Sequence, residues 1–314
     1  MKIFEIFSTN LPVGEKYTIK KTRFEPTKKI NAPKRISIVT GIHGDELEGQ
    51  FVVYLLVDWL KKNQDKIRGV IDLYPAVNSL GIDSITRAFP VYEVDLNRAF
   101  PGGETTFLPS HVVYELSQDV KGSDIAIDIH SSNIFLKEIP QIRINKEFSA
   151  STYPLAKKLN CDFIWIHDAI TVLEATFSHT MNSMGTKTLV VEMGVGMTLT
   201  QKYGYQLLTG ILNLMKSEGI IETNETFEVV EPFTSEIGDV FYLNAEASGL
   251  FIQDIKHCAQ IKKGDKIGQI VDPLTAEIRS EVFAPNKGIL FTLREFPVVY
   301  EGSLLARIFG EKDD

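Results

Sequence analysis

Only two cysteines, Cys161 and Cys258, occur in 314 residues, and there is no Cys-x-x-Cys pair. That excludes a disulfide framework and points to a reducing compartment. Basic residues are outnumbered, 33 against 41, for a formal charge of −8. A nucleic-acid binder needs a basic face, so that class is excluded, although a local positive pocket is not. Long apolar runs are also missing. The longest, residues 51–60, is interrupted by Asp58, and a membrane span needs about 20 residues. The N-terminus, MKIFEIFSTNLPVGEKY, has no continuous apolar core of the signal-peptide kind. A soluble cytoplasmic protein is expected. No low-complexity segment or internal repeat is visible.

What is present is globular: 44% hydrophobic and 24% charged residues, which excludes disorder, collagen and coiled coil as the main state. The length suits two domains, one large and one small.

Residues 1–35 are polar and mixed and read as a leading hairpin. RISIVT, 35–40, is a buried strand. Residues 46–62 place Leu47, Phe51, Tyr54, Leu55 and Trp59 near helical period. Further strands are predicted at 70–74, 124–129, 162–166 and 187–191. Helices are predicted at 109–120 with Ser110 near its cap, at 149–159 around Pro154, and at 198–216 capped by Thr198 or Thr200. Strands alternating with helices predict an α/β fold, its sheet largely parallel and covered on both faces. After about residue 225 short apolar segments alternate with Gly, Pro, Asn and Asp turn signals. That texture predicts a small all-β module. The expected division is 1–225 and 226–314.

Two of the six histidines sit in unusual company. His43 lies in Gly-Ile-His-Gly-Asp-Glu just past the first buried strand, and His130 lies just past DIAIDI. In open α/β sheets, sites form outside the carboxyl ends of strands. Glu46 follows His43 by three residues, a spacing that shares one face of a turn. Two histidines and one carboxylate, with a fourth position for water, form a catalytic zinc pattern. Asp128 is a candidate to orient a histidine from behind. Glu192 ends another buried strand, at the same edge, where it can act as general base and then general acid. In the loop 95–102, Arg98 offers a fork for a carboxylate and Asn97 an amide donor. Arg87 is a second candidate cation. Each also has a plainer reading: Glu192 as a turn cap, Arg98 as a salt-bridge partner of Asp95, Gly41 and Gly44 as turn residues only. His111, His167, His179 and His257 read as ordinary surface or core imidazoles.

Four segments taken together, G-I-H43-G-D-E46-x-x-G49, D95-L-N97-R98-x-F-P-G, D128-I-H130-S and V191-E192-M-G, resemble the succinylglutamate desuccinylase/aspartoacylase family, related to zinc carboxypeptidases. The resemblance spans about residues 33–217. It implies a mixed sheet between helices and one zinc per chain held by His43, Glu46 and His130. It also implies Glu192 as general base and Asn97 with Arg98 as the binder of a substrate carboxylate. Arg87 matches the arginine that polarises the scissile carbonyl, and Arg143 resembles a substrate-side arginine of the acylase-like branch. The sequence departs from glycine-rich relatives after the base, reading Gly194-Val195-Gly196-Met197.

Residues 229–308 resemble the barrel-sandwich pattern of biotinyl and lipoyl carriers. A carrier needs a lysine at its exposed hairpin, and 272–281 reads DPLTAEIRSE. The module is therefore expected to be structural or to shape the pocket mouth. The combined expectation is a zinc-dependent hydrolase that removes an N-acyl group from an amino acid or related amine, acting on a small substrate with a carboxylate. A zinc carboxypeptidase for short peptides and a non-catalytic metal-binding carboxylate sensor are the alternatives. The sequence leaves the oligomeric state open, a homo-oligomer included.

Overall fold

The computed structural model describes residues 1–168, 174–235 and 238–310. The chain opens with an antiparallel hairpin, β1 (Lys2–Asn10) and β2 (Lys16–Phe24). It continues through β3 (Arg35–Thr40), α1 (Glu48–Lys62), β4 (Val70–Tyr74), α2 (Ser79–Ser84), α3 (Leu108–Val120) and β5 (Ile125–Ser131). Next come β6 (Leu136–Asn145), α4 (Ser149–Ala156), β7 (Phe163–His167), α5 (Phe177–Ser183), β8 (Lys187–Gly194) and α6 (Gln201–Ser217). The remainder is strand: β9 (Phe233–Thr234), β10 (Asp239–Asn244), β11 (Gly249–Gln253), β12 (Gln260–Ile261), β13 (Lys266–Val271), β14 (Ile278–Phe283), β15 (Gly288–Arg294), β16 (Val298–Val299) and β17 (Leu304–Gly310).

One large mixed sheet runs β1-β2-β4-β3-β5-β8-β6-β15-β17-β10, and β14-β13-β11-β16 form a second, antiparallel sheet. The parallel heart is β4-β3-β5-β8. Its strands are near-continuous apolar runs because helices bury both faces. Ile36, Ile38, Ile127, Leu189 and Val191 pack with Val52, Leu56, Leu207 and Ile211 from α1 and α6. Val39 and Ala126 point the other way, to Val112 and Leu116 of α3 and Phe177 and Met181 of α5. That alternation is the period of two expected of strands.

The α1 helix forms where the sequence predicts it, but its buried stripe is Gly49, Val52, Val53, Leu56 and Leu60, and Tyr54 is exposed. The predicted stripe through Phe51 and Tyr54 is rotated by about one residue. Burying an apolar side chain is worth about 1.5–3 kcal/mol wherever it is buried, so area alone does not choose between two apolar stripes. Gly49 chooses. A Cβ there would meet Thr40 Oγ1 at 1.9 Å, so only glycine lets the helix lie this close to β3. Phe51 packs instead against Tyr205 of α6, ring centroids 5.8 Å apart.

The expected caps differ as well. Phe107 precedes α3, with Pro109 in its first turn, and Ser110 makes no side-chain cap. Thr200 precedes α6, but its side chain caps nothing; its backbone N–H donates to Glu48 Oε1 at 2.8 Å.

The strand β6 is absent from the sequence reading because Pro140 sits inside it, and proline argues against an interior strand. It is tolerated at a bulge. Between Glu138↔Gly194 and Gln141↔Glu192 the β6 strand spends one more residue than β8. Beyond β6, β15 pairs with it through Thr292↔Glu138, and Ile139, Phe163 and Phe291 share a small core. The β13–β14 hairpin turns at 272–277, where Asp272 Oδ1 accepts from Leu274 N at 2.8 Å.

Candidate active site

The predicted residues converge at the carboxyl edge of the parallel strands. After β3 the chain turns through 41–47 and delivers His43 and Glu46. Gly44 lets this turn lie against α2, since a Cβ would come within 2.1 Å of the Gly81 carbonyl carbon. The end of β5 delivers His130, and the register pairs His130 with Glu192 on β8. Together with Arg87, Asn97, Arg98 and Arg143 they line one cavity of about 370 Å³.

His43, Glu46 and His130 are all buried, and their ligand atoms lie within 4.8 Å of one another. His43 Nδ1 is 2.8 Å from Glu46 Oε1, His130 Nδ1 is 2.8 Å from Glu46 Oε2, and the two Nδ1 atoms are 3.2 Å apart. On the far side of each ring stands a carboxylate: Asp95 Oδ1 at 2.9 Å from His43 Nε2 and Asp128 Oδ2 at 2.9 Å from His130 Nε2. A carboxylate behind the ring places the N–H on Nε2 and turns the Nδ1 lone pair forward. Two lone pairs and a carboxylate at such distances repel unless a cation or protons lie between them. The donor set therefore fits a metal ion.

The proton affinities say the same of the chain alone. Burial disfavours the protonated rings, yet Glu46 and Asp95 outweigh it at His43 and raise its pKa. Asp128 and Glu46 do so more strongly at His130, whose pKa stands well above the usual imidazole value. Burial likewise disfavours the Glu46 carboxylate, but the two imidazoles hold its pKa far below the ordinary range. The centre attracts positive charge.

Around it, Arg87 Nη1 donates to Glu46 Oε1 at 2.6 Å. Asn97 is held by its own amide oxygen, which accepts from Phe177 N at 2.9 Å. Its Nδ2 is then directed to His130 Nε2, 3.4 Å away. Arg98 does not pair with Asp95, whose ion-pair partners are His43 and Arg87. One Arg98 donor reaches the Asn97 carbonyl at 2.7 Å, and the side chain lines the cavity. Glu192 is not a turn cap; its carboxyl lines the cavity too, and burial raises its pKa against the charges of Arg143 and His130. Arg143 Nη1 lies 3.3 Å from Glu192 Oε1.

Several lining residues escape the sequence reading. Asp95 is visible there but assigned to Arg98, its neighbour in sequence, and not to His43. Glu138 and Arg307 carry no local signal. His167 and His179, read as ordinary imidazoles, also line the cavity.

The profile of the succinylglutamate desuccinylase/aspartoacylase catalytic domain matches residues 32–217. The chain belongs to that family. Among its relatives is an N-alpha-acetyl-L-2,4-diaminobutyric acid deacetylase of Halomonas elongata, 22% identical over 263 residues, 82% of this chain and 76% of that protein. The product-bound ectoine utilization protein EutE of Ruegeria pomeroyi shares the family fold, with a TM-score of 0.81, 19% identity, and 99% and 95% of the two chains covered. A succinylglutamate desuccinylase from a Silicibacter species gives a TM-score of 0.82 at 20% identity, covering 98% of this chain and 95% of that one. Among the described residues, no helix is long and apolar enough to cross a membrane.

Proposed function

We propose that this family member is a zinc-dependent hydrolase that cleaves the amide of an N-acylated amino acid or related amine bearing a carboxylate. The observation that carries the reading is one cavity in which His43, Glu46 and His130 gather beside Glu192. The named activities of the relatives, deacetylation of an acylated diaminobutyrate among them, support an N-acyl amino acid over a peptide.

His43, Glu46 and His130 hold the metal in this reading. When bound, zinc supplies Lewis acidity toward water and the scissile carbonyl. Glu192 takes a proton from the attacking water and passes it to the leaving nitrogen, and its raised pKa brings it closer to the operating pH of a general base. Arg87 stands beside Glu46 and donates to the carbonyl oxygen as charge develops there. Arg98 and Asn97 take the substrate carboxylate, and Arg143 supports the substrate from the β6 side. The segment 226–314 serves as a structural unit at the mouth of the cavity. A cytoplasmic location agrees with the two unpaired cysteines.

A metal-loaded screen over N-acetyl and N-succinyl amino acids and short peptides tests the proposal. Turnover of peptides alone would move the assignment to a carboxypeptidase. Binding without turnover of any of them would leave a sensor.

A further inference from the structure

We propose that Arg307, on the last strand, is a positioning residue for the active site: through Glu138 it keeps Arg143 against Glu192. This rests on the amidohydrolase reading above.

The bulge in β6 makes the arrangement possible. Glu138 and Arg143 are five apart, a spacing that places two side chains on opposite faces of a regular strand. The extra residue between Glu138 and Gln141 brings them to the same face. Both then line the cavity with Glu192 and Arg307.

Glu138 is buried, and both its oxygens are engaged. Oε2 accepts from Gln141 Nε2 at 2.5 Å and from Thr292 Oγ1 at 2.7 Å. Oε1 accepts from Arg307 Nη1 at 2.8 Å and lies 3.5 Å from Arg143 Nη2. With four donors around it, this carboxylate has little acceptor capacity left for a substrate. Its role is to organise the guanidiniums. Both of these lie near the Trp165 ring, 5.7 Å and 5.5 Å from its centroid, and Arg307 is also 5.6 Å from that of Tyr242.

The distances assign the parts. Arg307 makes the short contact to Glu138, while Arg143 divides itself between Glu138 at 3.5 Å and Glu192 at 3.3 Å. Remove Arg307 and a buried carboxylate loses its principal counter-charge. The nearest remaining cation is Arg143, and a buried charge left unpaired is costly. Arg143 then moves fully onto Glu138 and leaves Glu192. In the native chain Arg307 satisfies Glu138 and so leaves Arg143 available to the site. A strand more than a hundred residues away in sequence thereby sets the surroundings of Glu192.

A double-mutant cycle of Arg307→Met and Arg143→Met on the zinc-loaded full chain tests this. Each single change is expected to lower kcat/KM at least about tenfold, and the double variant to be no worse than Arg143→Met alone, as for residues acting through one contact. Losses that multiply would overturn the proposal. Arg307→Lys restores a charge on Glu138 and should recover most of the rate; no recovery would count against it. A crystal structure of Arg307→Met gives a readout that needs no turnover, with the Arg143 guanidinium expected on Glu138 and away from Glu192. Arg143 unmoved would refute the positioning role, even if the wild type hydrolyses no N-acyl amino acid and the functional reading alone fails. Should Arg307→Met not fold, Arg307→Gln leaves Glu138 a neutral donor and carries the same measurements with the same outcomes.

Discussion

His130 on β5 and Glu192 on β8 are register partners in adjacent parallel strands. Their side chains reach one cavity because both strands end at the same edge and both present that position to it. The pairing joins the proposed metal centre to the proposed base without any loop between them. A base carried on the scaffold's own ladder is held more rigidly than one on a loop.

The metal assignment has a two-part test. Elemental analysis of protein purified without added metal should find close to one zinc per chain, strongly reduced in His130→Ala. Asp95→Asn should retain the site but bind zinc about 10–100-fold more weakly, the usual cost of losing a carboxylate behind a ligand histidine. Wild-type metal content and affinity in both variants would remove His130 and Asp95 from the centre.

Glu192→Gln keeps shape and loses the proton acceptor. The variant should fold, carry its metal and lose about 10²–10⁴-fold in kcat, the typical contribution of general acid–base catalysis. Near-normal turnover in the metallated variant would reassign the base.

Arg98→Lys separates charge from fork. Hydrogen bonds to charged groups contribute about 1.5–3 kcal/mol, so kcat/KM for a carboxylate substrate should fall roughly 10- to 150-fold. The amide analogue should lose much less, and the loss should lie mainly in KM if the contact is equal in ground and transition states. Equal losses for both substrates, with a lower melting temperature, would make Arg98 a loop-holding residue only.

Far from the site, Asp72 is fully buried and takes two bonds from Arg23 at 2.6 Å and one from Arg35 at 2.8 Å. Burial alone would raise its pKa, but the Arg23 bond and the charges of Lys21 and Arg35 outweigh it and lower it. A depressed carboxyl pKa contributes stability above the unfolded value of about 3.9 and loses it as pH falls through the folded value. Asp72→Asn should therefore cost about 3–5 kcal/mol near neutral pH, since it leaves buried cations unpaired. The gap to the wild type should narrow below about pH 4. Urea unfolding near neutrality and in acid measures both, and a gap independent of pH would contradict the linkage.

Strands at 35–40 and 70–74 are legible in the sequence to the residue. Parallel strands buried on both faces must be apolar throughout, so each announces itself locally. His43, Glu46, His130 and Glu192 are legible for a related reason: polar chemistry at the end of an apolar run has few structural uses, and strand ends of a parallel sheet share an edge. Tertiary structure alone decided the rest. Which stripe of α1 meets the sheet depends on the close approach at Gly49, not on hydrophobicity. Asp95 serves His43 and not its sequence neighbour Arg98. Glu138, Arg143 and Arg307 share a face only because β6 bulges beside Pro140 and because β15 and β17 extend the sheet past it. Local periodicity reports what a segment buries. Register, bulges and strand order decide which buried groups meet, and those are properties of the whole sheet.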